Sequence, residues 1–267
     1  MSMWKDLKGW DSPDRDNAYR AAGFCYESFE AEGMKPDYRH FVPKGGGEGL
    51  PLVLFLHGAD AAGSDNESQL LLHDIGTVFA AEEWQAEHPC HILAPQYPEG
   101  SHWAREEMLR WLEALLDERI RRDHCDPSRI YLYGYSAGAI GLLELIRRRP
   151  HFYAAAMPIC GATGEEGLEL LTDTPLWFFH AEDDTIVRSG ESSSGLTRRR
   201  LLGSALLYEK LSELGGRDLH LTLYPTGRMG TKYRLHTHCS WVPAGADTEA
   251  KRWLFSAVRA GETQMVT

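Results

Sequence analysis

Short apolar runs punctuate the chain. LVLFLHG (52–58), HILAPQY (91–97), RIYLYG (129–134) and AAAMPICG (154–161) come first, followed by PLWFFH (175–180) and LHLTLYP (219–225). Several are apolar nearly throughout rather than alternating, the pattern of strands in a parallel sheet covered on both faces. Between them lie helical patterns. Met108, Trp111, Leu112, Leu115 and Ile120 form a stripe within 103–122, and the turn signal Asp126-Pro127 follows. Residues 137–149 predict a second helix, with Arg147, Arg148 and Arg149 in its last turn and Pro150 beyond. Basic side chains there suit the helix dipole, so the triple arginine reads as a helix end rather than a binding patch. Strand-helix alternation with short connections predicts right-handed βαβ units in an α/β fold, a mostly parallel sheet of about eight strands with helices on both faces. Two further strand patterns, 24–29 and 37–42, predict an antiparallel hairpin, which Gly45-Gly46-Gly47 links to the first parallel strand.

On this reading 1–267 is a single domain with a polar N-terminal extension over 1–22. Two polar segments, 188–200 and 227–236, read as insertions beside strand ends, where ligands of open α/β sheets bind. A 43% share of hydrophobic residues can bury a large core. The net charge of −11 argues against nucleic acid or an anionic membrane as a partner. No apolar run approaches the roughly 18 residues of a transmembrane helix. The start, MSMWKDLKGWDSPDRD, lacks the apolar core of a signal peptide. Five cysteines (Cys25, Cys90, Cys125, Cys160, Cys239) without a C-x-x-C pair fit a reduced, cytoplasmic protein and argue against a cysteine metal site. Nothing in the sequence sets an oligomeric state.

The chemistry centres on YLYGYSAGAIGLL (131–143). Gly134 to Gly138 has the form G-x-S-x-G, in which a serine sits on a tight strand-to-helix turn and glycines let the two elements approach. A serine hydroxyl needs a base to take its proton. In α/β-hydrolases the partners follow in the order Ser, acid, His. AEDDTIV offers Glu182, Asp183 and Asp184 past one strand end, and His236 and His238 lie past the next. An oxyanion site needs two N–H donors. The amides of Ala137, after the serine, and Ala59, in LFLHGADAAGSDN, stand where this fold supplies them. His57 reads as a histidine that holds its loop, and Cys239 as packing rather than a nucleophile.

Taken together, PLVLFLHGADAAGSDN, APQYPEGSHW, DPSRIYLYGYSAGA, PICG, PLWFFHAEDDTIV and HCSW resemble one group within the α/β-hydrolase superfamily. These are the poly-hydroxybutyrate-depolymerase-like and feruloyl-esterase-like carboxylic ester hydrolases, whose relatives include predicted peptidases and phospholipase/carboxylesterase-like proteins. The resemblance spans about 38–253. It implies a serine esterase acting on a small-molecule ester without metal or organic cofactor, the alternatives being a peptidase or amidase and a catalytically silent binding protein. It implies Ser136 as nucleophile, Asp184 as acid (pattern H-G-x-x-D-x-x-V, with Asp183 beside it) and His238 as base (pattern H-x-x-W, with His236 the runner-up). Trp103 and Trp241 carry two readings, core packing as is usual for tryptophan and, as the resemblance implies, a substrate wall together with Tyr135. The chain departs from the usual H-G-x-G in reading His57-Gly58-Ala59-Asp60. A carboxylate there would repel an oxyanion if it faced inward, so Asp60 is expected to point outward or cap a turn.

Overall fold

The computed structural model describes residues 14–193 and 200–259. Its strands are β1 (Phe24–Ser28), β2 (Asp37–Phe41), β3 (Leu52–Leu56), β4 (His91–Pro95), β5 (Ile130–Tyr135), β6 (Ala155–Ile159), β7 (Ala162–Thr163), β8 (Leu176–Ala181), β9 (Glu191–Ser193), β10 (Arg200–Gly203) and β11 (Leu219–Tyr224). Eight of them form one sheet in the order β1-β2-β4-β3-β5-β6-β8-β11. The hairpin β1-β2 is antiparallel, as is β2 against β4, and the remaining pairs are parallel. β7, β10 and β9 make a separate three-stranded antiparallel sheet.

The continuous apolar runs have the cause that their pattern implies. Every residue of β3, β4, β5 and β6 is buried. Alternate side chains feed two cores. Leu52, Leu54, Leu56, Ile130 and Leu132 pack with the helices Glu106–Arg122, Ala137–Arg148 and Ser204–Glu213 on one face. Val53, Phe55, Tyr131, Tyr133 and Tyr135 pack with Glu82–Glu87, Trp241–Ala246 and Thr248–Ser256 on the other. Each fully buried Leu, Val or Phe contributes about 1.5–3 kcal/mol of transfer free energy.

Several boundaries differ from the sequence pattern. The first long helix starts at Glu106 instead of near Trp103, because Trp103 is drawn into the core and donates its indole N–H to the carbonyl of His57 at 2.9 Å. The triple arginine does more than end its helix. Arg148 bonds Glu113 at 2.8 Å and Glu106 at 2.7 Å, and Arg149 bonds Asp117 at 2.8 Å, so the two helices are tied together by charge. The N-terminal extension is structured from Asn17 to Ala22, a helix with Asn17 and Ala21 buried, and 1–13 lies outside the described residues. In the first insertion β9 and β10 are paired, with 194–199 outside the described residues. The second holds a π-helical turn, Met229–Tyr233, instead of open loop, since buried Met229 anchors it.

The turn from β5 into Ala137–Arg148 sets the geometry of everything near Ser136. A side chain at Gly138 would place its Cβ 1.9 Å from the carbonyl oxygen of Leu56, and one at Gly134 would lie 2.6 Å from the same oxygen. The helix therefore lies against the main chain of β3. Gly138→Ala should destabilise the fold by about 3 kcal/mol or more, the upper range for overpacking. Gly164→Ala, where a Cβ meets nothing within 4 Å, should change stability by no more than about 0.5 kcal/mol. Urea unfolding of the two variants checks the contrast, and equal effects would refute it.

Candidate active site

Ser136 occupies the junction of β5 and its helix at φ 53°, ψ −119°, a conformation that non-glycine residues rarely adopt. It is held by two main-chain bonds: its N–H donates to the carbonyl of Ile159 on β6 at 2.8 Å, and its carbonyl accepts from Ile140 at 3.2 Å. The hydroxyl is thereby lifted off the carboxyl end of the sheet. His238, past β11, brings Nε2 to 2.9 Å from Ser136 Oγ. Its Nδ1 lies 2.7 Å from Asp184 Oδ2, past β8. An ionised carboxylate only accepts, so Nδ1 carries the proton and Nε2 faces the hydroxyl as an acceptor.

Asp184 is buried, yet four donors surround it. Oδ1 accepts from the amides of Ile186 at 2.8 Å and Val187 at 3.1 Å. Oδ2 accepts from His238 and lies 3.2 Å from His180 Nε2. Burial alone would raise its pKa; the hydrogen bonds and charge of His180 and His238 outweigh that and hold it far below the ordinary aspartate value. His180 escaped the sequence reading, which saw in PLWFFH only a strand. Its Nε2 also lies 2.8 Å from the carbonyl of Val187, and its Nδ1 2.8 Å from Ser204 Oγ. Facing two acceptors, Nε2 must be the protonated nitrogen. The available signal was a histidine closing an apolar run four residues before the aspartate.

The neighbours face elsewhere. Asp183 accepts from the amide of Gly227 at 2.8 Å, and Glu182 from the amide and hydroxyl of Thr226 at 2.9 and 3.1 Å. These two carboxylates brace the loop after β11. His236 accepts through Nδ1 from the amide of His238 at 3.1 Å, orienting the loop without reaching the hydroxyl in this arrangement.

Ala137 is the first residue of its helix, where an N–H has no intrahelical acceptor. Ala59 opens a single 3-10 turn, Ala59–Ala61, directly after β3 and Gly58. His57 is buried with its ring stacked on Tyr97, its Nδ1 2.6 Å from the carbonyl of Gly58, and burial lowers its pKa to about 4. It is a neutral prop for the loop, as its place in the sequence suggests.

Two expectations need correcting. Trp103, Trp241 and Tyr135 are only 1%, 0% and 2% exposed. Their rings pack behind the site, leaving too little free surface to form a substrate wall in this state: Trp241 stands edge-on to His238 at 5.5 Å and against Tyr135 at 4.7 Å. Asp60 points inward, not outward. Its Oδ2 lies 2.6 Å from His73 Nε2, and its Oδ1 accepts from the hydroxyl of Tyr135 at 2.9 Å. Burial opposes its charge, but these bonds outweigh it and keep its pKa below the ordinary value.

Among the described residues, His40, His91 and Asp123 bring possible metal-ligand atoms within 4.8 Å of one another. Arg119 binds two of the three, with bonds of 2.7 and 2.9 Å to Asp123 and 2.6 Å to His40 Nδ1, and His40 Nε2 lies 3.2 Å from His91 Nδ1. The group also lies at the amino end of β4, away from the strand ends that carry Ser136 and Asp184.

No family model matches the chain. A solved structure described as a thermostable esterase is 34% identical, with a TM-score of 0.81, over 90% of this chain and 64% of that one. Poly(3-hydroxyalkanoate) depolymerase C of Paucimonas lemoignei is 25% identical over 142 residues, which is 46% of this chain and 30% of the depolymerase. The chain thus spans under two thirds of the esterase and under one third of the depolymerase. An acylaminoacyl peptidase of Pyrococcus horikoshii shares the fold, with a TM-score of 0.59 at 14% identity over 93% of this chain and 44% of that one. With its mostly parallel sheet and its serine at the strand-to-helix turn, this chain is an α/β-hydrolase by fold.

Proposed function

We propose that this protein is a serine hydrolase that cleaves carboxylic esters of small molecules through an acyl-enzyme, with residues 1–267 acting as one α/β-hydrolase unit. One observation carries the reading: the unbroken chain of contacts from Ser136 Oγ through His238 to Asp184, at 2.9 and 2.7 Å. His238 Nε2 takes the hydroxyl proton as Oγ attacks the ester carbonyl. Asp184 holds the tautomer and stabilises the imidazolium. The N–H groups of Ala59 and Ala137 receive the oxyanion, each such donor worth about 3–4 kcal/mol. The imidazolium returns its proton to the leaving alcohol. Water, activated by the same nitrogen, then releases the acid. Similarity to a thermostable esterase supports ester over amide chemistry. We place the protein in the cytoplasm, a reading supported by five free cysteines; among the described residues no helix is long and apolar enough to cross a membrane.

Ser136→Ala should abolish turnover of p-nitrophenyl acetate, and labelling by a fluorophosphonate, while the protein stays folded. Asp184→Asn and His238→Gln should each lower kcat by about 10⁴-fold, while Asp183→Asn and His236→Gln keep activity within about tenfold, because their partners are loop amides. Reversed effects within either pair would overturn the assignment. A matched anilide should turn over far more slowly than the ester, and a protein that takes up no fluorophosphonate would be a binding protein instead.

The depressed pKa of Asp184 has a second, independent readout. A carboxyl whose folded pKa lies below its unfolded value, about 3.9 for aspartate, stabilises the fold above that pH and loses the contribution as pH falls. Wild-type stability should therefore drop as pH falls below about 4, and Asp184→Asn should show a shallower drop. Urea midpoints measured from pH 3 to 7 give the two slopes; parallel curves would mean that Asp184 is not held ionised.

A further inference from the structure

Asp60 stands where the resembling proteins usually carry glycine, and a buried carboxylate beside a site that binds an oxyanion is costly unless it is held. The carboxylate and the Tyr135 ring close over Gly58, where a Cβ would lie 2.7 Å from Asp60 Oδ1 and 2.5 Å from Tyr135 Cε2. The Tyr135 hydroxyl donates to Oδ1 at 2.9 Å, and His73 Nε2 lies 2.6 Å from Oδ2. Trp241 packs on both rings, 4.7 Å from Tyr135 and 5.1 Å from His73.

The placement of these partners along the chain is the informative part. Asp60 directly follows Ala59, the donor on the loop after β3. Tyr135 directly precedes Ser136 and lies two residues before Ala137, the donor on the helix. A single hydrogen bond between their side chains therefore joins the two segments that carry the N–H pair. The loop's other attachments run to a different place: Ala61 accepts from Gln96 at 2.9 Å and Gly63 donates to the carbonyl of Tyr97 at 3.0 Å, both in the segment after β4. Those bonds hold the loop to β4, whereas the Asp60 bond holds it to the nucleophile's own strand.

We propose that Asp60 and Tyr135 are positioning residues that set the separation of the Ala59 and Ala137 amides, with His73 fixing the carboxylate. The assignment rests on the ester-hydrolase reading. The Asp60 carboxylate accepts from the Tyr135 hydroxyl and lies 2.6 Å from His73 Nε2, so the acid that replaces glycine orders the oxyanion site. Substrate binding makes little use of the donor spacing, since the oxyanion forms only on attack; the tether acts on the transition state.

The test uses Tyr135→Phe, which removes one oxygen and keeps the ring, and Asp60→Asn, which keeps the shape and removes the charge. Both should lower kcat on p-nitrophenyl acetate by about ten- to a hundredfold, the loss expected for donors displaced by up to an ångström. KM should stay within about twofold. Affinity for an aryl trifluoromethyl ketone, whose adduct with the serine places an oxyanion between the amides, should fall in proportion to kcat. A purely structural role would lower the unfolding temperature and leave kcat and ketone affinity together near wild type. That result overturns the assignment, as does a fall in kcat without a fall in ketone affinity. If Asp60→Asn does not fold, Tyr135→Phe decides alone. A wild-type protein that neither hydrolyses the ester nor labels at Ser136 sinks the ester-hydrolase reading and this assignment with it; an active wild type matched by both variants sinks this assignment only.

Discussion

The contact between Gly138 and the carbonyl of Leu56 sets the terms for the rest of the molecule. Any Cβ at Gly138 would sit 1.9 Å from that oxygen, so the helix Ala137–Arg148 can lie against β3 only with glycine there. The close approach forces the chain to turn sharply after β5, and Ser136 takes up the turn at a positive φ. The strain is held by packing on every side: Ile159 receives the serine's amide, and the helix continues into a buried face of Leu142, Leu143, Leu145 and Ile146. Such a conformation persists because the surrounding structure over-determines it.

The second organising element is electrostatic. A buried carboxylate with fewer partners would take up a proton. Asp184 stays ionised because two amides and two imidazoles face it. His180 therefore matters as much to the Asp184 carboxylate as His238 does, though only His238 also reaches Ser136 Oγ. The aromatic residues around the site do related work. Trp103 holds the carbonyl of His57, and Trp241 stands edge-on to His238. Both fix polar groups from behind, a use of large rings that is independent of contact with a ligand.

Asp60 shows how one departure from a motif is absorbed. Glycine at that position would leave room; an aspartate brings charge into a partly buried loop. The charge is tolerated because Tyr135 and His73 are within reach, and neither adjoins Asp60 in the chain. The side chain's direction was thus set by partners 13 and 75 residues away.

Apolar patterning located the central strands β3 to β6, because fully buried strands must be apolar on both faces and few other structures write that pattern. It placed each long strand within a residue or two. G-Y-S-A-G marked the turn at Ser136, since both glycines clear the same main-chain oxygen, that of Leu56 on β3. The order of Ser136, Asp184 and His238 along the chain followed from the fold's connectivity. Tertiary structure decided what local rules leave open. Asp183 and Asp184 are adjacent and chemically alike, yet one faces Gly227 and the other His238. His236 and His238 divide in the same way, one meeting a backbone amide and the other Ser136. The inward turn of Asp60 and the hidden role of His180 belong to the same class. Burial and hydrogen-bond direction depend on which distant segments arrive beside a residue, and no local pattern in the chain encodes that meeting.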